Sequence, residues 1–323
     1  RILRLKIERE GLRRETDEAS QDRLDRIEGE LANLEQQAAE LTQRWQGEKD
    51  KISSGVFLDK EDSYVKNFKK GHGKVYKSEK AFTLNGERLP KGEMGVVHGY
   101  FPVNELKQAS KKHGVTINQY LVGTFVYAAY KEYMREQPSK IPFRCCVPVN
   151  LRPYYDSHTM KNFFAMVFAT FQPEKESYTF EEVLEIVAEN LKEQITPENL
   201  NNIMSYNVSN EKNWILRAVP LVIKNFVMKQ VYGASAKATS ATVTNIGNIE
   251  LKEPYQKYVE HFYVTLSMSK GQNMKGGICS YNGILTFTFS SVLVDLSIQK
   301  RFFQTIAKDG VAVAVESNGA YYG

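Results

Sequence analysis

Two hydrophobic periodicities divide the chain. From Leu24 the apolar positions are Leu24, Ile27, Leu31, Leu34, Ala38, Leu41 and Trp45, with Ile52 one heptad further on. Alternating steps of three and four define an a/d seam, and its narrow width predicts a coiled-coil arm. A helix over 24–52 would be roughly 43 Å long at 1.5 Å per residue. The second pattern is strand-like and centres on Val147–Phe171. Val147 and Val149 flank Pro148, and Asn150, Arg152 and Pro153 follow where the chain must turn. Phe163, Phe164, Met166, Val167, Phe168 and Phe171 then form a nearly continuous apolar run, which predicts a strand buried on both faces.

Further elements surround this pair. Val75–Leu84 and Met94–Phe101 are expected as strands separated by a turn at Asn85-Gly86. Helices are expected over Val103–His113 and Thr116–Met134, the second opened by a Thr116/Gln119 capping box and apolar on nearly every side. Thr179 and Glu182 predict a second capping box. Trp214–Tyr232 is strongly apolar and expected to kink at Pro220; it reads as a lid or wall over an apolar pocket, with a membrane-surface helix as the alternative. Ala241–Ile246, Phe262–Met268, Gly277–Tyr281 and Ile284–Val292 read as strands, and Asn282-Gly283 as a type I′ turn. Asp295 is expected to cap a helix ending near Lys308, with a short strand over Val311–Glu316. The alternation of strands and helices indicates an α/β (α+β) class with a mixed sheet and flanking helices, preceded by the coiled-coil helix.

Composition places the boundary. Residues 1–52 hold 11 Lys/Arg and 13 Asp/Glu, a net of −2, and Trp45 is their only aromatic. The remainder carries the balance of the +5 total, a net of +7. Three segments follow: an arm over 1–52, a linker and entry segment over 53–74, and a globular lobe over 75–323. The basic Lys66–Lys74 stretch reads as a solvated linker in preference to a phosphate or nucleic-acid patch. Cys145, Cys146 and Cys279 form no CxxC pair, so reduced thiols and a cytoplasmic location are expected, and vicinal Cys145-Cys146 reads as core packing. The longest apolar run, Leu121–Tyr130, is too short to span a bilayer. The charged opening carries no secretory signal, and a first residue of Arg is expected of a fragment.

Two resemblances follow. LRLKIEREGLRRETDEASQDRLDRIEGELANLEQQAAELTQRWQGEKDKI resembles the start of the middle coiled coil of ClpB-type AAA+ disaggregases. A Walker A loop is absent from the chain, so the resemblance does not imply an ATPase. Nor is the helix that folds back on this one in that family present, which leaves the seam without an antiparallel partner and implies self-association through Leu24–Trp45. In residues 55–323, VPVNLRP (147–153), NFF (162–164), TVTNIG (242–247), SKGQNMKG (269–276) and Ser280–Ser291 resemble alcohol O-acetyltransferase-like proteins. These belong to the CoA-dependent acyltransferase and condensation-domain superfamily. That resemblance implies a chloramphenicol-acetyltransferase-like C-terminal lobe, one wall of an active-site tunnel.

The family's general base lies in an HHxxxDG segment of the other lobe. His72, His98, His113, His158 and His261 include no adjacent pair, so no catalytic residue is assigned and the chain alone is expected to be inactive. The resemblance implies substrate binding by Asn150, Arg152, Asn245 and Gly247, and contact with CoA phosphates by Ser269, Lys270 and Lys275. From the residues alone, Asn150 and Arg152 read first as pins of the following turn, and the 269–276 loop equally as an ordinary exposed connection. Acetyl-CoA or another acyl-CoA would be a co-substrate, with no permanently bound cofactor or metal, and partners would be a small-molecule acyl donor and acceptor. No nucleic-acid partner and no membrane span are expected. The alternative is a non-catalytic assembly module using the coiled coil, or a ClpB-type fragment fused to an unrelated lobe.

Overall fold

The computed structural model describes residues 2–13, 18–53, 62–69, 79–155, 157–212 and 220–321. The chain divides into two units, Arg1–Asp62 with Ser157–Asn162, and Ser63–Asp156 with Phe163–Gly323.

In the first unit, α1 (Ile2–Leu12) packs on α2 (Glu18–Ser53). Leu5, Ile27 and Leu31 are buried between them, with Leu12 and Leu34 partly covered. Burying three such side chains stabilises the pair by about 2 kcal/mol each. Lys6–Glu35 and Arg23–Glu8 add exposed ion pairs at 2.6 and 2.9 Å, each worth little in water. The expectation of a seam without an intramolecular partner is therefore corrected for Ile27–Leu34, which α1 covers. Leu41, on the same seam, remains 66% exposed.

The second unit is built on one mixed sheet. In chain order its main elements are β1 (Gly95–Pro102), α3 (Val103–Lys112), α4 (Ile117–Glu132), β2 (Phe143–Asn150), β3 (Phe164–Phe171), α5 (Phe180–Gln194) and α6 (Pro197–Lys212). They continue with α7 (Leu221–Ala236), β4 (Ala241–Asn248), β5 (Met274–Tyr281), β6 (Ile284–Ser291), α8 (Ser297–Lys308) and β7 (Ala314–Ser317). The strand order is β3-β2-β4-β5-β6-β1-β7, with β4 parallel to both β2 and β5 and the other pairs antiparallel.

Period-two alternation sends Phe143, Cys145 and Val147 of β2 to the same face as Val243, Ile278, Phe287, Phe289 and Phe101. All of these are buried in one core with α4, α5 and α8. Phe287 meets Phe289 and Phe302 at ring-centroid distances of 4.7 and 4.5 Å. Such pairs add about 0.5–1.5 kcal/mol each beyond burial. Helices α4 and α5 approach closely at Gly123, where a Cβ would lie 2.5 Å from Leu184 Cδ1. Both expected capping boxes form: Thr116 with Gln119, and Thr179 with Glu182. Asn282 and Gly283 have φ of 47° and 78°, as a type I′ turn between β5 and β6 demands.

Several expectations are corrected. The strand Phe163–Phe171 is not buried on both faces. β3 is the sheet's edge strand, with Ala165, Val167, Ala169 and Phe171 buried but Phe164 and Met166 40% and 51% exposed. The described part of Val75–Leu84 forms no ladder. Its amides are satisfied one at a time, Ala81 N–H by Lys237 O and Phe82 N–H by Pro142 O, both at 2.8 Å, and Asn85-Gly86 joins no hairpin. Phe262–Met268 is extended but crosses a sheet face instead of adding a strand. Pro220 does not kink α7 but precedes its first turn, its carbonyl accepting from Lys224 N–H at 3.0 Å, where its missing donor costs nothing. Residues 214–219, and most of the basic 66–74 stretch, lie outside the described residues. Among the described residues no helix is long and apolar enough to cross a membrane.

Candidate functional site

The alternation that fills one sheet face with apolar groups puts a different set on the other. Register aligns Cys146 of β2, Thr242 of β4, Lys275 of β5 and Ser290 of β6 in one row, with Arg144 of β2 on the same face two residues before Cys146. The next rows hold Gly277, Thr288, His98 and Glu316, then Cys279, Thr286 and Tyr100. This face is polar. Where a second helical layer would lie, the extended 262–268 segment crosses it: Leu266 N–H donates to Ser290 Oγ at 3.1 Å, and Cys279 Sγ lies 3.2 Å from Phe262 O. Gly277 permits the crossing, since a Cβ there would stand 2.2 Å from Val264 O.

Lys275 sits where that segment ends. Its Nζ donates to Ser267 O at 2.9 Å and to Ser269 Oγ at 2.5 Å. Burial pulls its ammonium below the usual lysine range, opposed by the neighbouring Cys146 thiol. Burial in turn pushes Cys146 up to about 12, against the pull of Arg144, Lys275 and the Thr242 hydroxyl. Cys146 is thus protonated at neutral pH and is no nucleophile, in keeping with Cys145, Cys146 and Cys279 being free, buried thiols. Thr242 Oγ1 donates to Gln272 Oε1 at 2.8 Å, tying the 269–273 turn to β4. Lys270, on that turn, is exposed.

The other expected residues lie at the opposite end of the same strands. Because β2 and β4 are parallel, Asn150 and Asn245 both emerge at their C-terminal ends. Asn150 Oδ1 accepts from Arg152 N–H and from Arg152 Nη1, both at 3.1 Å, so the pair pins its own turn. Asn245 Oδ1 accepts from Gly247 N–H at 2.8 Å. That closes a bulge over Asn245–Asn248, where Gly247 takes φ +86°. Ser269 and Lys275 are brought into contact, but Asn245 stands three residues along β4 from Thr242, the register partner of Lys275, and its own register partner Ile278 places it on the helix-packed side of the sheet, just before the bulge. At 3.3 Å per residue the separation along β4 is about 10 Å.

Two histidine clusters escaped the sequence reading. His98 Nδ1 lies 2.9 Å from Thr288 Oγ1, and its ring packs on Tyr263 at 4.4 Å. Burial holds His98 below the usual histidine range, with Glu316 pulling the other way. Beside it Tyr100 Oη donates to Glu316 Oε2 at 2.8 Å, and burial, with that hydrogen bond, raises the phenol to about 12. The alternation His98, Tyr100 against Val97, Gly99, Phe101 was the signal available for this group. On the helical side, His113 Nε2 lies 2.9 Å from Asp309 Oδ2, which also accepts from Tyr120 Oη at 2.6 Å. No sequence spacing could reveal that pair. It joins the end of α3 to the end of α8, beside a groove of about 760 Å³ between α3 and α5. Among the described residues no group of three metal-ligating side chains occurs.

Comparison with known proteins finds relatives for parts of the chain. No family model matches. The chain is 52% identical over 67 residues to the chaperone protein ClpB of Brucella suis biovar 1 (strain 1330), a match covering 21% of this chain and 8% of that protein. The chain thus spans a small fraction of the curated relatives it matches. Among solved structures it is similar to the nonribosomal peptide synthetase FmoA3 in its AMPPNP-bound form, at 16% identity and TM-score 0.48, covering 76% of this chain and 24% of that one. It is also similar to the wax ester synthase/diacylglycerol acyltransferase of Marinobacter aquaeolei VT8, at 11% identity and TM-score 0.45, covering 72% and 52%. The ClpB match agrees with the resemblance read from the sequence.

Proposed function

We propose that residues 75–323 are the C-terminal lobe of a CoA-dependent acyltransferase that moves an acyl group from a thioester to an alcohol or similar acceptor. A first lobe supplies the general base. The observation that supports this reading is the sheet's asymmetry: one face packs on helices, while among the described residues the other carries most of the sheet's polar side chains and is crossed by the 262–268 segment. In the reaction the acceptor oxygen attacks the thioester carbonyl, its proton passes to the base of the first lobe, and the C–S bond breaks as the protonated base returns that proton to the leaving sulfur, releasing the thiol and the ester. The Asn245–Gly247 bulge lies at the β4 end, where polar donors would meet the oxyanion. Asn150 and Arg152 border the acceptor, and Lys270, Lys275 and Ser269 meet the phosphates of CoA about 10 Å along the strands. Cys146, protonated and buried, takes no part.

Titration calorimetry with CoA tests this reading on the chain as it is. Weak saturable binding is expected, reduced at least about tenfold by Lys270→Met with Lys275→Met, the loss of two charge-assisted contacts. Equal affinity in the double variant would contradict the assignment. The exposed Leu41 on the α2 seam supports a second role, assembly through the coiled coil. Leu41→Asp is expected to abolish concentration-dependent sedimentation, and an unchanged profile would remove this role.

A further inference from the structure

Strand β3 closes one edge of the sheet without the sequence features that usually blunt an edge. Phe164–Phe171 is eight residues with no charge, proline or glycine, and it pairs with β2 over its whole length without a bulge. An apolar edge of this kind is a template for a further strand. The opposite edge, β7, is only four residues long and carries Glu316.

In an antiparallel pair the backbone groups facing away from the partner recur at every second residue. The parity is fixed at Arg144, the register partner of Thr170. Its N–H donates to Ser240 Oγ at 3.0 Å and its C=O accepts from Ser240 N–H at 2.9 Å, both away from β3. The outward positions of β3 are therefore Phe164, Met166, Phe168 and Thr170. Side chains stand in for a neighbouring strand at three of them. Tyr64 Oη donates to Phe164 O at 2.7 Å and accepts from Phe164 N–H at 2.9 Å. At Phe168 the Gln194 carboxamide does the same, its Oε1 accepting from the N–H at 3.0 Å and its Nε2 donating to the C=O at 2.6 Å. Asn190 Oδ1 accepts from Thr170 N–H at 3.2 Å.

A carboxamide offers the same acceptor and donor as a peptide group, so Gln194 satisfies Phe168 as a paired strand residue would. Each cap is held in place. Asn190 and Gln194 stand one turn apart at the end of α5, and Gln194 Nε2 also donates to Asn190 Oδ1 at 2.9 Å. The Tyr64 ring packs edge-on against Phe163 at 5.0 Å. Among the described residues no side chain caps Met166, so one outward position of the edge stays open.

We infer that Tyr64, Asn190 and Gln194 form a set of edge caps that keep β3 from pairing with β3 of a second copy of this chain. The pairing they block is antiparallel and two-fold, each outward N–H of one copy meeting a C=O of the other. With the caps in place only Met166 has free backbone groups, too few to hold two copies together. Neither the acyl-transfer reading nor assembly through the α2 seam is needed for this.

Sedimentation of the full chain tests it, in a Leu41→Asp background that takes the α2 seam out of the comparison. Tyr64→Phe with Asn190→Ala and Gln194→Ala should raise the self-association constant at least about tenfold over that background. Adding Met166→Pro should return it to the background value, because proline there removes an outward N–H and costs no bond to β2. Gln194→Ala alone uncaps Phe168 and should give an intermediate constant, and it carries the comparison if circular dichroism shows that the triple variant does not fold. In Gln194→Ala the Phe168 amide should also exchange its hydrogen at least about tenfold faster in dilute solution and regain protection as concentration rises. Folded variants that associate no more than the background would overturn the inference. So would association that Met166→Pro leaves unchanged, since the contact would then lie elsewhere.

Discussion

The two faces of the sheet are made by the same strands and meet different fates. On one, Phe287 and Phe289 are sealed beneath α4 and α8. On the other, their neighbour Thr288 lies under an extended segment and holds His98. A helical layer needs an apolar surface to pack on, and the row Cys146, Thr242, Lys275 and Ser290 does not provide one. Polar groups on that side are instead held by side-chain hydrogen bonds, and the closely packed aromatic rings lie on the opposite side. Substitutions on adjacent residues should divide accordingly.

The largest effect is expected from Phe287→Ala, which removes a fully buried ring; about 3–5 kcal/mol should be lost in urea unfolding. Its counterpart Met166→Ala, on the open side of β3, should change stability by no more than about 0.5 kcal/mol. Similar losses from the two would erase the distinction between the faces. Next is Gly123→Val, whose added atoms meet Leu184 between α4 and α5; a loss of about 1–3 kcal/mol is expected from overpacking. Thr179→Ala removes one half of the α5 capping box and should cost about 1 kcal/mol, read from the same unfolding curves.

The open face should also show itself in pH dependence. The Tyr100 phenol is raised from 10.0 to about 12 in the fold, so between those values the folded state holds a proton that the unfolded state has lost. The stabilisation is complete below pH 10 and disappears as pH rises through about 12. Wild-type stability should therefore fall more steeply over that window than that of Tyr100→Phe. Parallel slopes would show that burial does not raise the Tyr100 phenol in the fold.

The difference between the faces also explains what could be read in advance. The capping boxes at Thr116 and Thr179 and the Asn282-Gly283 turn were legible because each is complete within four residues. The core face of β6 was legible because period-two alternation defines it, and the burial of α4 because that helix is apolar on nearly every side. Phe262–Met268 has strand-like alternation, yet alternation cannot tell a segment paired edge to edge from one crossing a face. The same limit hid the edge position of β3, whose aromatic residues suggested burial on both sides. Of the site residues, the Asn150–Arg152 and Asn245–Gly247 contacts are local. The pairing of Lys275 with Ser269 depends on how β5 meets the turn before it. His113 and Asp309 meet across almost the whole second unit, beyond the reach of any spacing rule.

The central claim is that the polar face is one wall of an acyl-transfer site whose base lies on another lobe. It is tested most directly by following thiol release from acetyl-CoA in the presence of an alcohol acceptor, for the chain alone and with a first lobe carrying HHxxxDG added in trans. No release above the uncatalysed rate is predicted for the chain alone, and turnover is predicted once the lobe is supplied. Turnover by the chain alone that is lost on His98→Ala, His158→Ala or His261→Ala would contradict the account and place the base within this chain.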